Sequence, residues 1–445
     1  MRVIVVGAGI AGLSAAYILQ KNGVEVKVLE KEKEVGGRCK SIRWHVGWID
    51  LAAEMMISVD KGLKQMALEI GLKSHLQAMD KPDCVGGKQD FMGWRDGRFY
   101  PFSLQGKPSI LTSDLLGATG KLRLAEMLPS FLKQKTRTRG VAPDAYELWR
   151  DAWADDMSLE KWLSRINPRL LTYFAEPFID LFWGYRPKEI SRQFFLHMMA
   201  NGESDPSVLT TDQGYGLLPR KLAQKLDVET GARVKRVDVG SVPVSVEWET
   251  REGLSKNESA DAVIIALPGC FVNDVIYGLE EDKAAFFNRV RYTPKEMVYF
   301  KLDKKFEYML PWHVYPVGES PWFSGLAYGP SQISPDFDVL RVNMKTDFTL
   351  HHKERSSDEV LDAIQVELAK RYPEMAAAIE DRIIARWNPG IPQFYPGYIR
   401  SLAQFNNLQP TAGIEFAGDY LAFSTTGGAY YSGKIAAEKI LKHSI

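Results

Sequence analysis

The feature that most constrains this chain is a strand–turn–helix–strand pattern at its N-terminus. Residues 3–6 (VIVV) form an unbroken apolar run, as a strand buried in a parallel sheet requires. A glycine-rich stretch, 7–12 (GAGIAG), follows, and residues 13–21 then have the apolar periodicity of a helix. Residues 24–29 predict a second strand. A β-α-β unit built around G-x-G-x-x-G is typical of a Rossmann dinucleotide-binding fold.

The glycine-rich turn has a separate physical role for each glycine. Gly7 permits the tight turn after the strand, Gly9 lets the backbone approach a pyrophosphate, and Gly12 lets the helix pack close to the strand. Ile10 and Ala11 complete the turn at the start of the helix, where free N–H groups attract phosphate. We therefore predict that all five residues contact the cofactor.

A carboxylate and a second glycine motif follow the second predicted strand. Glu30 lies at the end of this strand, where an acidic side chain can hold ribose hydroxyls, and Lys31 comes next. Gly36 and Gly37 permit another close backbone approach, and the planar guanidinium of Arg38 suits phosphate oxygens. The residues from Glu30 to Arg38 thus extend the predicted cofactor site.

Composition excludes several classes of function. Lys and Arg together number 56, equal to Asp and Glu, so nothing in the charge balance favours nucleic acid as a partner. The basic run 133–139 (KQKTRTR) is interpreted as a solvated loop. Three cysteines without C-x-x-C spacing and seven scattered histidines predict neither a disulfide framework nor a metal site.

The sequence also bears on the cellular location of the protein. No apolar stretch is long enough to predict a transmembrane segment, and the cysteine pattern suits a reducing compartment. We expect a cytoplasmic protein, with peripheral contact to a membrane left open. The sequence does not set the oligomeric state.

Several blocks resemble the FAD-dependent amine oxidase superfamily, which includes monoamine oxidases, protoporphyrinogen oxidases and phytoene desaturases. The resemblance extends from residue 1 to the C-terminus. The blocks are 31–41 (KEKEVGGRCKS), 48–54 (WIDLAAE, with Ala52 in place of the usual glycine), 214–218 (GYGLL), 417–419 (AGD) and 427–429 (GGA). The resemblance implies that FAD is the cofactor.

The resemblance also assigns roles near the C-terminus. Val234 matches the position that contacts the adenine through its backbone, and Gly418 and Asp419 match the motif beside the ribityl chain. Gly428 and Ala429 are expected to open a helix running through residue 440, with its N-terminus toward the N1–C2=O edge of the flavin. Some family members attach flavin to a cysteine in the C-terminal third of the chain. No cysteine follows Cys270 here, so we expect non-covalent FAD.

Two further blocks are similar to the protoporphyrinogen oxidase-like branch. These are 176–191 (EPFIDLFWGYRPKEIS) and 390–398 (GIPQFYPGY), in which Tyr398 replaces the usual histidine. Enzymes that process sugar nucleotides carry a run like the first block, so the substrate is not fixed. Thr425 and Thr426 occupy positions where amine oxidases often have an aromatic residue of a substrate cage.

Lys295 is the one candidate catalytic residue. The block 293–301 (TPKEMVYFK) resembles the strand on which amine oxidases carry a lysine that holds a water near flavin N5. A cation there would stabilise reduced flavin. The alternative is a lysine that faces solvent at the start of a strand.

The resemblance implies an α/β fold: a Rossmann-type FAD-binding domain with an inserted α+β substrate domain, comprising a mixed sheet and a helical subdomain. We assign residues 1–55, 205–275 and 406–445 to the FAD-binding domain. Residues 56–204 form the helical part and residues 276–405 the sheet part of the substrate domain.

The expected function is that of an FAD-dependent oxidoreductase. It would transfer hydride to flavin N5 from a largely apolar small molecule, as a protoporphyrinogen oxidase-like or desaturase-like enzyme does. The alternatives are an amine oxidase, a flavin-dependent isomerase or mutase, and a non-catalytic flavin-binding protein. The sequence singles out no general base.

Overall fold

A computed structural model of the chain describes residues 1–57, 59–79, 90–103, 109–138, 146–200, 208–240, 243–331 and 333–443. The domain boundary predicted between residues 204 and 205, and the end of the basic run at Arg139, lie outside the described residues.

The strands in the described part of the chain are numbered in chain order. They are β1 (Arg2–Val6), β2 (Glu25–Glu30), β3 (Ser41–Trp44), β4 (Gly47–Asp50), β5 (Leu76–Ala78), β6 (Asp90–Arg95), β7 (Arg98–Ser103), β8 (Leu209–Thr211), β9 (Asp227–Thr230), β10 (Arg233–Asp238), β11 (Val244–Glu249), β12 (Ser255–Ala260), β13 (Ala262–Ile265), β14 (Ile276–Tyr277), β15 (Tyr292–Leu302), β16 (Leu310–Val314), β17 (Phe323–Pro330), β18 (Asp338–Met344), β19 (Ile379–Pro392) and β20 (Ile414–Phe416).

The α-helices of the same residues are numbered in the same way. They are α1 (Ile10–Lys21), α2 (Lys61–Glu69), α3 (Gly117–Leu122), α4 (Leu128–Arg137), α5 (Leu159–Ile166), α6 (Pro168–Leu170), α7 (Glu176–Trp183), α8 (Arg192–Ala200), α9 (Leu217–Ala223), α10 (Val272–Val275), α11 (Glu281–Phe287), α12 (Thr346–His351), α13 (Ser357–Ala369), α14 (Pro373–Ala377), α15 (Tyr398–Asn406) and α16 (Thr426–His443).

A five-stranded parallel sheet forms the first domain, in the order β20-β13-β1-β2-β9. Residues 3–5 of the central strand β1 are completely buried, which explains their unbroken apolar run. The predicted strand–turn–helix–strand unit is confirmed. Helix α1 begins at Ile10, three residues earlier than its apolar periodicity indicated.

The edge strand β9 was not predicted from the sequence. Helix α9 ends at Ala223, and Asp227 begins a short strand that pairs with β2. Four residues, DVET, are too few to show an alternating pattern, so only pairing with β2 defines this strand.

A seven-stranded sheet, in the order β19-β15-β18-β17-β16-β6-β7, forms the second domain. All of its pairs are antiparallel except β16 with β6. The strands β6 and β7 come from the region predicted as the helical part, so that prediction is incomplete. They are joined by Asp96 and Gly97, both at positive φ, and Asp-Gly is a strong hairpin signal that the sequence analysis overlooked.

The fold class is therefore as predicted, a parallel α/β domain with an inserted α+β domain. The strands of the parallel sheet come from residues 2–30, 227–265 and 414–416. The exact domain boundaries stay a prediction. In the described part of the chain, no helix combines the length and the apolar character needed to cross a bilayer.

Helices α1 and α16 pack so closely that glycine is required between them. A Cβ built on Gly433 of α16 would lie 2.2 Å from the carbonyl oxygen of Ala11 in α1. This contact joins the N-terminal and C-terminal ends of the chain in one layer against the parallel sheet.

Replacing Gly433 with alanine should separate the two helices. Overpacking of this kind costs typically about 1–3 kcal/mol, so we expect a Gly433→Ala variant to lose that much free energy of unfolding in urea titrations. Gly318→Ala is the matched control, because a Cβ there meets no atom within 4 Å. Equal stability of the two variants would contradict the close packing.

Candidate active site

The glycine-rich turn has the geometry that its spacing predicted. Gly7 adopts a φ of +106°, and a Cβ built on Gly12 would lie 2.0 Å from the carbonyl oxygen of Gly7. Any larger residue at position 12 would therefore push α1 away from the end of β1. The turn is tight because the helix starts against the strand that precedes it.

The backbone at Gly9 is open to a ligand. No atom lies within 4 Å of a Cβ built on Gly9, and no side chain caps the N-terminus of α1. The second glycine motif comes close to the first: Gly36 N–H donates to the carbonyl of Ala8 at 2.8 Å. A Cβ built on Gly37 would contact only the Cα of Gly9, at 3.7 Å. Two open glycine backbones and an uncapped helix N-terminus thus face the same space, as a pyrophosphate requires.

The carboxylate of Glu30 lies beside this turn. Its Oε2 accepts a hydrogen bond from Ala8 N–H at 2.7 Å and its Oε1 accepts one from Glu32 N–H at 2.9 Å. Burial raises the pKa of this carboxyl, and the two backbone donors oppose that shift. Each oxygen can accept a further bond. Glu30 therefore braces the turn and can also receive ribose hydroxyls.

Arg38 and Asp419 form an ion pair within the first domain, in which Asp419 is buried and the Arg38 side chain is 31% exposed. The guanidinium donates to both carboxylate oxygens, at 2.8 and 2.9 Å, and also to the carbonyl of Gly390 at 2.8 Å. The sequence analysis assigned Arg38 to phosphate and Asp419 to a ribityl chain, and it missed their mutual contact. The two motifs are far apart in sequence, so no local pattern could have indicated this pair.

The C-terminal helix begins earlier than expected. α16 starts at Thr426, two residues before Gly428, because the hydroxyl of Thr425 accepts a hydrogen bond from Gly428 N–H at 3.0 Å. Ala429 N–H donates to the carbonyl of Thr425. The expectation that Gly428 and Ala429 open the helix is therefore wrong by one half-turn. A threonine before a helix is a common N-cap, and that signal was available in the sequence.

A carboxylate that the sequence analysis did not identify lies against this helix start. Asp60 Oδ2 accepts a hydrogen bond from Ile57 N–H at 3.0 Å, and Tyr146 donates its hydroxyl to Oδ1. A Cβ built on Gly427 would overlap Asp60 Oδ1, so only glycine fits there. The helix dipole favours a negative group at this position.

Aromatic side chains surround the segment before α16. Phe194 stacks on Phe423, with ring centroids 4.4 Å apart, and Tyr146 stacks on the same ring at 5.7 Å. Trp183 Nε1 donates to the carbonyl of Ser424 at 3.2 Å. Aromatic residues are thus present here even though threonines stand at positions 425 and 426.

The segment 50–54 is held to the second domain at three points. The hydroxyl of Tyr299 donates to the carbonyl of Asp50 at 2.5 Å, and Trp387 Nε1 donates to the carbonyl of Leu51 at 2.7 Å. Glu54 forms a largely buried ion pair with Arg341 of β18. These contacts fix the segment between the two sheets.

The carboxyl of Asp50 is itself unusual. It is 2% exposed, and burial raises its pKa to about 8, although Ser41 and the backbone N–H of Tyr215 donate to it. At neutral pH this group is therefore largely protonated.

Lys295 is buried, which excludes the solvent-facing alternative. Its side chain on β15 donates to the carbonyl oxygens of Asp180 and Leu181, at 2.8 and 3.1 Å, near the C-terminus of α7. Burial lowers its pKa from 10.5 to about 8, and the Asp180 carboxylate opposes that shift. An ammonium has three donors, so one remains for another acceptor.

The remaining predicted residues occupy varied environments. Val234 is buried in β10 and pairs with Trp248 of β11. Lys31 is exposed and lies 3.5 Å from Glu32. Gly418 N–H donates to the hydroxyl of Ser432 in α16 at 2.9 Å.

The comparisons with known proteins now decide the family. A family model described as flavin containing amine oxidoreductase matches residues 10–441. The chain belongs to this family. The open glycine backbones, Glu30 and the C-terminal helix fit the flavin cofactor that the name of this family gives.

Individual relatives are distant. A Dictyostelium discoideum protein named "probable flavin-containing monoamine oxidase A" is 27% identical over 259 residues, 57% of this chain and 47% of the relative. Protoporphyrinogen oxidase 2 of Arabidopsis thaliana is 27% identical over 179 residues, 40% of this chain and 32% of the relative. The chain thus matches half or less of the length of these curated relatives.

Solved structures match over the whole chain. A variant of putrescine oxidase with redesigned cofactor binding has a TM-score of 0.78 at 19% identity, with 99% of each chain covered. Cyclohexylamine oxidase from Brevibacterium oxydans IH-35A has a TM-score of 0.74 at 17% identity, covering 100% of this chain and 99% of that chain. These matches establish the shared fold.

The ribose role of Glu30 is testable by Glu30→Gln. The substitution keeps the size and one acceptor but removes the charge, and charge-assisted hydrogen bonds contribute roughly 1.5–3 kcal/mol. We expect FAD affinity to fall about ten- to a hundredfold when apoprotein is titrated with FAD by fluorescence quenching.

Glu32→Gln is the control for this test, because Glu32 contacts Glu30 through its backbone N–H. Unchanged FAD affinity in Glu30→Gln would leave Glu30 with only its bracing role in the turn.

Proposed function

We propose that this protein oxidises a largely apolar small molecule at the flavin. The observation that carries the proposal is the cluster of Trp183, Phe194, Phe423 and Tyr146 beside the start of α16. Aromatic rings at that place exclude water, and the partly exposed ring of Trp183 can offer a flat apolar surface to a substrate. Bound FAD would supply the hydride acceptor.

Different residues of the chain would bind successive parts of the cofactor. Backbone N–H groups of the two glycine motifs would bind the pyrophosphate. The carboxylate of Glu30 would accept hydrogen bonds from the ribose. The predicted cofactor residues are Gly7, Gly9, Ile10, Ala11, Gly12, Glu30, Lys31, Gly37, Arg38, Val234, Gly418, Asp419, Gly428 and Ala429. Because Arg38 already neutralises Asp419, we propose that it orients this carboxylate and shares its remaining donors with the cofactor.

We propose that Lys295 places its ammonium group at the end of β15 that would face the flavin. Its two hydrogen bonds to α7 fix the direction of the ammonium. The third donor can then orient a water, which is the role that the family resemblance implies.

Amine oxidation is the second candidate. The carboxylate of Glu54, held by Arg341 next to the segment 50–53, is a group that an ammonium substrate could contact. The putrescine oxidase and cyclohexylamine oxidase matches share the fold of this chain and are consistent with that chemistry.

A substrate panel separates these functions. Holoprotein would be mixed without oxygen with porphyrinogens, polyenes, primary amines and sugar nucleotides, while the visible flavin band is followed. We expect bleaching with a porphyrinogen or a polyene. Bleaching with amines alone would favour amine oxidation. Product formation without net bleaching would indicate an isomerase or mutase, and no response to any compound would favour a non-catalytic flavoprotein.

The FAD is predicted to be non-covalent. The described cysteines are Cys39, which is buried, and Cys270, which precedes the C-terminal third of the chain. Acid precipitation should leave intact FAD in the supernatant and a colourless pellet. Yellow colour that stays with the polypeptide would require a covalent link through another side chain.

The pKa of Lys295 predicts a pH dependence. Below pH 8 the ammonium is charged, so the rate of flavin reduction in stopped-flow should change with an apparent pKa of about 8. Lys295→Met should abolish this change and slow reduction about tenfold or more. Lys295→Arg keeps the charge and should lack the inflection while retaining more of the rate.

Asp50 also titrates near pH 8, and the groups around Lys295 are Asp180, Glu54, Arg341 and Lys345. An inflection that persists in Lys295→Met would assign it to Asp50 instead. Stability gives an independent readout. The lysine pKa is lower in the folded state, so the folded protein binds fewer protons and wild-type stability should rise between about pH 8 and 10.5, unlike that of Lys295→Met.

A further inference from the structure

Four charged side chains meet in the interior where α7 packs against the seven-stranded sheet. They are Glu176 and Asp180 of α7, Lys295 of β15, and Lys345, which follows β18. Asp180, Lys295 and Lys345 are 5%, 6% and 2% exposed, and Glu176 is largely buried. Burial of charge is costly unless each group has a partner of opposite sign. Two cations and two anions make this cluster balanced as a whole.

The ammonium of Lys295 is located by backbone groups alone. It donates to the carbonyl oxygens of Asp180 and Leu181, and Asn343 Nδ2 also donates to the Leu181 oxygen, at 3.3 Å. In the part of the chain that the structure describes, no carboxylate forms an ion pair with Lys295. The carbonyls at the end of α7 favour a cation, but they carry no full charge. The charge of Lys295 is therefore balanced by groups that it does not touch.

The carboxylate of Asp180 is the first of these groups. Its Oδ1 accepts hydrogen bonds from the backbone N–H and the hydroxyl of Thr346, both at 3.3 Å, and its Oδ2 lies 3.7 Å from Lys345 Nζ. Gly184 N–H returns to the Asp180 carbonyl at 2.9 Å and ends α7 at a φ of +65°. Asp180 thus supplies an acceptor to Lys295 through its backbone and brings a negative charge close to it through its side chain.

The second group is Lys345, whose charge is of the same sign as that of Lys295. Its Nζ donates to the carbonyl of Tyr315 at 2.9 Å and lies 3.9 Å from Glu176 Oε1. That carboxylate oxygen also accepts a hydrogen bond from Val317 N–H at 3.0 Å. Lys345 is therefore held in the interior by α7 and by the segment after β16, and it cannot turn toward solvent.

We propose that Asp180 and Lys345 are positioning residues whose opposite charges control whether Lys295 carries its proton. Asp180 attracts the ammonium, whereas Lys345 repels it. The proposal rests on the proposed function, in which Lys295 acts beside the flavin. Burial lowers the pKa of Lys295 to about 8, and within that balance Asp180 raises the pKa and Lys345 lowers it. The other charged groups that face Lys295, Arg341 and Glu54, form an ion pair with each other.

Substitutions at the two positions should move the titration of Lys295 in opposite directions. Asp180→Asn keeps an acceptor for Thr346 but removes the negative charge, so the inflection should move about one pH unit lower. Lys345→Met keeps the apolar stem but removes the like charge, so the inflection should move about one pH unit higher. The double variant loses both charges and should titrate close to the wild type. It also leaves neither member of the Asp180–Lys345 pair buried without the other.

The measurement is a pH titration of the visible flavin spectrum of the oxidised holoprotein. No substrate is added, so the result does not depend on turnover. The wild type should show an inflection near pH 8, and Lys295→Met should show none. Asp347→Asn is the matched control, because it removes a carboxylate of α12 that is 48% exposed and pairs with Arg186. This control should titrate as the wild type does.

The outcomes separate this proposal from the function on which it rests. A wild-type inflection that is absent, or that persists in Lys295→Met, would overturn both the proposal and the role of Lys295 beside the flavin. An inflection that Lys295→Met abolishes, but that Asp180→Asn and Lys345→Met leave in place or move in the same direction, would overturn the positioning roles alone. If Asp180→Asn does not fold, the upward shift in Lys345→Met and its reversal in the double variant decide the question on the same terms.

Discussion

The ion pair between Arg38 and Asp419 is the interaction on which the two ends of the proposed cofactor site depend. It joins the second glycine motif to the loop before α16, and a third hydrogen bond from Arg38 reaches Gly390 in the second domain. Asp419 is buried and the Arg38 side chain is 31% exposed, so the pair contributes little net stability, whereas loss of Arg38 would leave a buried carboxylate without its charged partner. The main effect of the pair is therefore on geometry, because it fixes the second glycine motif, the loop before α16 and the segment at Gly390 relative to one another.

The same logic applies to the segment 50–54 and to Lys295. In each case a polar side chain from the seven-stranded sheet satisfies backbone or charged groups that belong to a neighbouring segment. Unsatisfied carbonyls would be costly at these buried positions, so the sheet and the first domain can adopt few relative arrangements. Rigid placement of the reacting groups is what a flavin enzyme needs, because most of its chemistry resides in the cofactor.

Features that depend on neighbouring residues could be predicted from the sequence. Contacts between distant segments could not. The turn at Gly7 to Gly12 and the strand–helix–strand unit around it follow from rules that act within one segment. The hairpin at Asp96 and the N-cap at Thr425 also had local signals, which were overlooked. In contrast, the contact of Tyr146 with Asp60 joins residues that only the tertiary fold brings together, so no spacing rule could predict it.

The order of strands in the parallel sheet also determines how the chain must be made. β1 leaves the ribosome long before β13, which is one of its two neighbours, and Val6 pairs with Ile265. At roughly 5–20 residues per second, synthesis takes on the order of 10–50 s to supply that neighbour. Until then the nascent chain carries an apolar strand with an open edge, a template for intermolecular pairing. Helix α16, which packs against α1, follows β13 in the chain, so α1 stays uncovered for longer still. The rate of chain elongation therefore limits when this sheet can close.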